Sequence, residues 1–158
     1  MAQGVLEQNS KHRDPNFQLS VDSAGTHPFR IGQAPDEHAQ NASQHRGVDI
    51  SGLRARVVEA DDFHRFDYVL AMDRANLQLL RYTCPEQRHH VLHLYLEFSP
   101  SSARDEIPDP YQRGESAFEK SLDLIELATT GFLEHLSQLH VSPGKPENVR
   151  TGATEPGP

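Results

Sequence analysis

Short apolar runs of strand length alternate with segments of helical periodicity along most of the chain. The strand-like runs are Phe17–Val21, Tyr68–Met72 and Val91–Leu96. The helical segments are Met1–Lys11, Pro35–Arg46, Asn76–Tyr82 and Glu115–Leu139. Strands that alternate with helices predict an α/β fold, in which helices cover both faces of a parallel sheet.

The composition excludes several classes of protein. A length of 158 residues favours one domain, and no apolar run is long enough to span a membrane. With 15 Lys and Arg against 23 Asp and Glu, the net charge of -8 argues against a partner that is a nucleic acid or a membrane surface. A single cysteine rules out an internal disulfide, and no secretory signal opens the chain, so we expect a cytoplasmic protein.

The end of the chain differs from the rest in composition. Residues 141–158 are rich in Pro and Gly and contain almost no large apolar side chains. Such a segment buries too little apolar surface to offset the entropy lost on ordering it. The sequence therefore predicts one domain over residues 1–140, followed by a disordered tail.

Polar residues follow the predicted strands at three places. They are Ser23, Asp73 and the loop that contains Pro108-Asp109-Pro110-Tyr111. Ligands of open parallel sheets bind beyond the carboxyl ends of the strands, so these residues are candidates for a site. The two prolines stiffen the loop around Asp109, which suits a proton donor, although a plain surface turn has the same composition. Asp73 is better explained as the cap of the helix that follows it.

A series of motifs resembles the low-molecular-weight protein tyrosine phosphatases. The motifs, in order, are Ser23-Ala24-Gly25-Thr26, Pro35-Asp36, Leu53-Arg54-Ala55-Arg56, Phe66 to Asp73 with Asn76-Leu77, and Ile107 to Tyr111. The resemblance implies a three-layer sandwich around a four-stranded parallel sheet. It also implies hydrolysis of phosphotyrosine in protein substrates through a cysteinyl-phosphate intermediate, without metal or cofactor.

The resemblance assigns roles to individual residues. Asp109 matches the general acid that protonates the departing tyrosine oxygen, and Tyr111 matches the aromatic wall beside it. Phe29 falls where family members carry a second aromatic residue, although a packing role is equally compatible with the sequence. Ser23 matches the residue that supports the phosphate loop by hydrogen bonding. Many members have a second tyrosine at the position of Gln112.

The amino end departs from the family pattern. The signature of the family is a strand, then a loop with Cys, five residues and Arg-Ser-Pro, then a helix, and Met1-Ala2-Gln3-Gly4-Val5 resembles the start of that helix. The first strand and the nucleophile loop are absent from the sequence, and Cys84 has His90 where the arginine would stand. We therefore expect a chain that is barely stable and inactive alone, and an upstream start of the native protein would explain the pattern.

Two other functions stay open at this stage. A pseudophosphatase would keep the walls of the site as a binding module without a nucleophile. An arsenate reductase-like relative would need additional redox cysteines, against which the single cysteine argues. The cluster His89-His90-x-x-His93 is typical of solvated histidines rather than of a metal site, and Arg54 and Arg56 are typical of surface ion pairs.

Overall fold

The computed structural model describes residues 1–11, 18–99, 104–140 and 149–155. In these ranges the helices are α1 (Ala2–Ser10), α2 (Glu37–His45), α3 (Asp62–Arg65), α4 (Arg74–Thr83) and α5 (Glu115–His140). The strands are β1 (Leu19–Gly25), β2 (Tyr68–Ala71), β3 (Leu92–Leu94) and β4 (Val149–Glu155). Short 3₁₀ helices cover Pro28–Arg30, Glu86–Val91 and Tyr95–Phe98. The described helices are too short or too polar to cross a membrane.

The four strands form one parallel sheet in the order β1, β4, β2, β3. Successive residues of β2 point to opposite faces, so Leu70 joins the core under α1, α2 and α5, while Val69 joins the core under α3 and α4. Both faces are therefore covered by helices. This arrangement confirms the predicted three-layer α/β sandwich with a parallel sheet.

The fourth strand comes from the segment that composition assigns to a disordered tail. Residues 149–155 pair with β1 on one side and with β2 on the other, so the prediction of disorder is wrong for this part of the tail. The prediction for 141–148 and 156–158 lies outside the described residues, as does the predicted start of β1 at Phe17. Local composition misses β4 because the strand is stabilised by long-range pairing. Without it, the facing backbone groups of its two neighbours would lack hydrogen-bond partners. Among the described residues the sheet therefore contains four strands, and the tail supplies one of them although the first strand of the family pattern is absent from the sequence.

One ion-pair cluster joins α2 to α5. Arg46, directly after α2, contacts Glu119, Asp123 and Glu126 of α5 at N–O distances of 2.9, 2.7 and 2.6 Å. The hydrogen bond to Glu119 contributes most to raising the pKa of Arg46, and this increase outweighs the opposing effect of burial. The two helices are thus held together by a cluster of ion pairs.

Helix α5 approaches the preceding loop closely at one residue. A Cβ atom at Gly131 would lie 1.9 Å from the carbonyl oxygen of Phe98, which is backbone and cannot rotate away. The 3₁₀ helix Tyr95–Phe98 therefore rests directly on the backbone of α5. This contact fixes the start of the segment that leads to Asp109.

Candidate functional site

A cleft opens at the carboxyl ends of β1 and β2, where the topology of a parallel sheet places ligands. Its volume is about 190 Å³, and since a cavity of about 150 Å³ accepts benzene, the cleft has room for a phenyl ring. Apolar side chains from β1, α2, α5 and several loops line it, together with Ser23, Asp109 and Tyr111. Three of the four predicted site residues therefore meet in one cleft.

Two hydrogen bonds attach the loop that carries Asp109 to the scaffold. The amide of Ile107 donates to the carbonyl oxygen of Met72, at the end of β2, over 2.8 Å. The hydroxyl of Ser121, on α5, donates to the carbonyl oxygen of Pro108 over 2.8 Å. The loop is consequently bound to the end of β2 and to α5 by the two residues that directly precede Asp109.

The carboxylate of Asp109 is oriented within that loop. Its Oδ1 accepts a hydrogen bond of 3.0 Å from the amide of Tyr111, and its side chain is partly buried at the cleft wall. Pro110, between the two, is buried and has a fixed φ. The sequence Pro-Asp-Pro-Tyr thus presents one acidic group and one aromatic ring to the same cleft.

Tyr111 has a cationic neighbour that the sequence does not indicate. The guanidinium carbon of Arg30 lies 4.5 Å from the centre of the Tyr111 ring, a cation–π contact between two sides of the cleft. Arg30 thereby stabilises the aromatic wall and places positive charge beside the cleft. Arg30 escapes sequence reasoning because its partner lies far away in the chain.

Ser23 lies at the inner end of the cleft and bonds to the first turn of α1. Its hydroxyl donates to Oε1 of Gln3 over 2.6 Å, and the side-chain Nε2 of Gln3 donates in turn to Oε1 of Glu7 over 2.9 Å. Gln3 is nearly buried, and Met1 before it lines the cleft. Ser23 is therefore linked to the element that begins at the cleft, and Gln3 is a further site residue that sequence reasoning missed.

Phe29 occupies a different position from the other predicted residues. Its side chain is 67% exposed and stacks on His27, with ring centres 5.7 Å apart. The described residues that line the cleft include its neighbours His27 and Arg30 but not Phe29 itself. The structure thus places Phe29 outside the described lining of the cleft, although the next residue, Arg30, belongs to that lining.

The two arginines of Leu53-Arg54-Ala55-Arg56 line the cleft but differ in availability. Arg56 forms ion pairs with Asp22 at 3.0 Å and with Asp62 at 2.8 Å. Burial lowers the pKa of Arg56, but these two carboxylates outweigh it and the pKa is raised. Its charge is therefore neutralised locally, as the ion-pair interpretation predicted, whereas Arg54 is exposed and donates to backbone carbonyls.

The predicted cap and the histidine cluster lie outside this chemistry. Asp73 accepts a hydrogen bond of 2.7 Å from the amide of Asn76 and caps α4, as predicted. His89 bonds to the carbonyl oxygens of Arg81 and Cys84. Within the described ranges, no group of three or more His, Cys, Asp and Glu side chains is arranged to hold a metal ion.

Cys84, the single cysteine of the sequence, is buried at the carboxyl end of α4 and is not among the described residues that line the cleft. Burial raises the pKa of its thiol, and this effect outweighs the opposing charge of Arg88. The thiolate is the reactive form of cysteine, so little nucleophile is present at neutral pH. The position and the protonation state of Cys84 both argue against a catalytic role.

We expect alkylation of Cys84 by iodoacetamide at neutral pH to be at least about tenfold slower in the folded chain than in urea, because the buried thiol reacts only after local opening. Mass spectrometry of timed samples gives the two rates. Phosphate at the cleft should leave the folded rate unchanged. Rapid alkylation of the folded chain, with protection by phosphate, would instead place Cys84 at the site.

Comparisons with known proteins agree with this geometry. Residues 1–141 match the sequence model of the family described as low molecular weight phosphotyrosine protein phosphatase. The low molecular weight phosphotyrosine protein phosphatase 2 of Drosophila melanogaster is 35% identical over 115 residues, which cover 72% of this chain and 70% of that protein.

Solved structures resemble the chain over most of its length. A protein tyrosine phosphatase from Entamoeba histolytica, with Hepes in its active site, superposes with a TM-score of 0.79 and 31% identity over 87% of each chain. YfkJ from Bacillus subtilis superposes with a TM-score of 0.82 and 27% identity, covering 88% of this chain and 86% of its own.

Proposed function

Because the chain belongs to the low molecular weight phosphotyrosine protein phosphatase family, we propose that its cleft takes the side chain of phosphotyrosine from a protein substrate. Asp109 is the general acid of this proposal and Tyr111 is the wall against which the substrate ring packs. The reaction would pass through a cysteinyl phosphate. Neither metal nor cofactor takes part in it.

The observation that carries the proposal is the convergence of Asp109 and Tyr111 on a cleft of phenyl size. A tyrosine leaving group has a pKa near 10, so its expulsion as a phenolate is costly without a proton donor. A carboxylate beside a phosphate site is repulsive unless it carries that proton. Asp109 on its anchored loop supplies a donor next to an aromatic surface.

The described cleft residues do not include a cysteine nucleophile for the reaction. The chain has no Cys-x5-Arg sequence, and its one cysteine is buried away from the cleft. We therefore propose that the 158-residue chain does not hydrolyse phosphotyrosine by itself. The position of Cys84 also favours a second candidate function, a phosphotyrosine-binding module that uses the cleft without turnover.

Ring binding can be tested on the chain as it is. In an NMR titration, phenyl phosphate should shift the amide signals of Tyr111 and of the cleft residues around it, while phosphoserine should not. Removal of the aromatic wall in Tyr111→Leu should weaken binding about three- to tenfold, since aromatic pairs contribute beyond their buried area.

Tyr82→Leu is the matched control, because Tyr82 is 91% exposed on α4 and absent from the cleft lining. Its affinity for phenyl phosphate should equal that of the parent chain. Shifts confined to another surface, or equal affinities for Tyr111→Leu and the parent, would contradict the proposed substrate class.

A further inference from the structure

We propose that the β4 position is an exchangeable strand site, which accepts an extended peptide from another polypeptide in place of residues 149–155. The peptide that fits has a β-branched apolar residue where Thr151 stands and a small residue where Gly152 stands. This inference concerns the sheet and does not depend on phosphotyrosine chemistry.

Strand β4 lies between β1 and β2, so a strand in this position is needed to pair the facing edges of both. In the register of the sheet, Thr151 lies opposite Val21 of β1 and Tyr68 of β2. Without β4, the facing edges of β1 and β2 would stand about 10 Å apart, two strand spacings, with their backbone groups unpaired. Any strand that enters there gains two ladders of hydrogen bonds.

The residues of β4 suit this position poorly. Strands covered on both faces of a parallel sheet are usually near-continuous runs of Val, Ile and Leu. The sequence of β4 is Val-Arg-Thr-Gly-Ala-Thr-Glu, whereas its neighbour β2 is Tyr-Val-Leu-Ala. The central position is thus held by a strand with little apolar side chain to bury.

The hydroxyl oxygen of Thr151 shows why β4 fits its position poorly. Its residue is fully buried, and among the residues that the structure describes its Oγ1 has no hydrogen-bond partner. An unpaired buried hydroxyl disfavours the state that contains it. Valine has nearly the same shape without the hydroxyl, so a peptide with valine at this point fits better than the chain's own strand.

Gly152 restricts the size of the side chain that the strand site accepts at this position. A Cβ atom at Gly152 would lie 3.3 Å from Cδ2 of Phe66, so glycine fits directly and alanine requires a small displacement of the ring. Larger side chains meet the ring of Phe66. The preferred occupant therefore has a β-branched apolar residue followed by Gly or Ala.

Asp67 binds β4 through backbone atoms of that strand. Its Oδ2 accepts a hydrogen bond of 2.9 Å from the amide of Arg150, and its own amide donates to the carbonyl oxygen of Arg150 over 2.7 Å. Only backbone atoms of the strand take part. Any residue except proline can therefore make both bonds.

A competing peptide must displace a strand that belongs to the same chain as the rest of the sheet. Eight residues separate His140 from Val149, and they include two prolines and a glycine. Because β4 belongs to the same polypeptide as the sheet, it competes for this position at an effective concentration of the order of millimolar. A second copy of the chain would bring the same Thr151 and Gly152 without that advantage, so a better-fitting peptide is the favoured competitor.

The experiment uses the full chain and fluorescein-labelled peptides of residues 147–155. One peptide carries Thr151→Val, one is unaltered, and one carries Thr151→Pro. Fluorescence anisotropy should show that the valine peptide binds about five- to 150-fold more tightly than the unaltered one, from the cost of an unpaired buried hydroxyl. The proline peptide should not bind, because it lacks a backbone donor in a strand paired on both sides.

Hydrogen exchange of the chain locates the binding. The valine peptide should expose the amides of residues 149–155 while those of β2 stay protected. The full chain with Thr151→Val should show slower hydrogen exchange in β4, by about five- to 150-fold. Its affinity for the peptide should fall by a similar factor. Thr130→Val, at an exposed residue of α5, is the matched control and should change neither.

Three results would overturn the proposal. The first is no binding of the valine peptide up to about 1 mM, the concentration at which a tethered strand competes. The second is peptide binding that leaves β4 protected, which places the peptide elsewhere. The third is a dimer in which β4 is exchanged between copies in preference to the peptide, which would make the chain itself the occupant.

Discussion

Asp109→Asn lowers the turnover number for phosphotyrosine by about 10²- to 10⁴-fold in an active form of the protein, the usual contribution of a positioned general acid. This corresponds to about 3–5 kcal/mol of transition-state stabilisation. The amide keeps the size of the side chain and can still accept the hydrogen bond from the amide of Tyr111, but it has no proton to transfer. The loss should therefore appear in the turnover number rather than in KM.

The active form is a chimera. A family-type strand and Cys-x5-Arg-Ser-Pro loop is fused ahead of Met1, and residues 149–158 are removed so that the added strand can occupy the position of β4. We expect the chimera to hydrolyse a phosphotyrosine peptide and the 158-residue chain to leave it intact. A chimera that folds and binds phenyl phosphate without turnover would favour the binding-module function.

Leaving-group dependence separates proton donation from positioning. The loss in Asp109→Asn should be much smaller with p-nitrophenyl phosphate, whose leaving group is more acidic and needs less help from a proton. Asp105→Asn is the matched control from the same loop, because Asp105 pairs with Arg74 on the exposed side. Equal losses with both substrates would show that Asp109 positions the loop and does not donate the proton.

Gly131→Ala lowers the free energy of unfolding by about 3 kcal/mol, at the upper end of the usual cost of overpacking. In an ordinary helix interior, the same change would stabilise the protein by about 1 kcal/mol. The sign is reversed here because the added methyl would collide with the carbonyl oxygen of Phe98, which cannot move without displacing the 3₁₀ helix Tyr95–Phe98. Urea unfolding followed by circular dichroism measures the change.

Thr130→Ala provides the control for helix propensity at the neighbouring residue. Thr130 is exposed, and its hydroxyl bonds only within α5, to the carbonyl oxygen of Glu126. We expect a change within about 0.5 kcal/mol, as for surface substitutions in general. A Gly131→Ala variant as stable as this control would mean that α5 and Phe98 are not in backbone contact.

The sequence predicts those parts of the fold whose signal is local. The apolar run Tyr68–Met72 and the periodic segment Glu115–Leu139 correspond to β2 and α5 because each has the length and the pattern of its element. Strand β4 does not have such a pattern. Its place follows from pairing with β1 and β2, which no local composition reveals.

The sequence likewise predicts some residues of the site and not others. Ser23, Asp109 and Tyr111 are predictable because they match family motifs, and the structure brings all three to one cleft, although Ser23 lies within β1 and not after it. Arg30 and Gln3 are not predictable, since each acts through a partner far away in the chain. Phe29 has the expected residue type, but a stack on His27 holds it outside the cleft lining.

The ion pairs of Arg46 have a consequence for the cleft, although they lie away from it. They join the carboxyl end of α2 to α5, and both elements contribute to the cleft lining, through Ala39 and Ile125. The spacing of α2 and α5 at the cleft therefore depends partly on half-exposed charges, which dissolved ions screen. We therefore expect ionic strength to influence ligand binding in the cleft without any contact between salt and bound molecule.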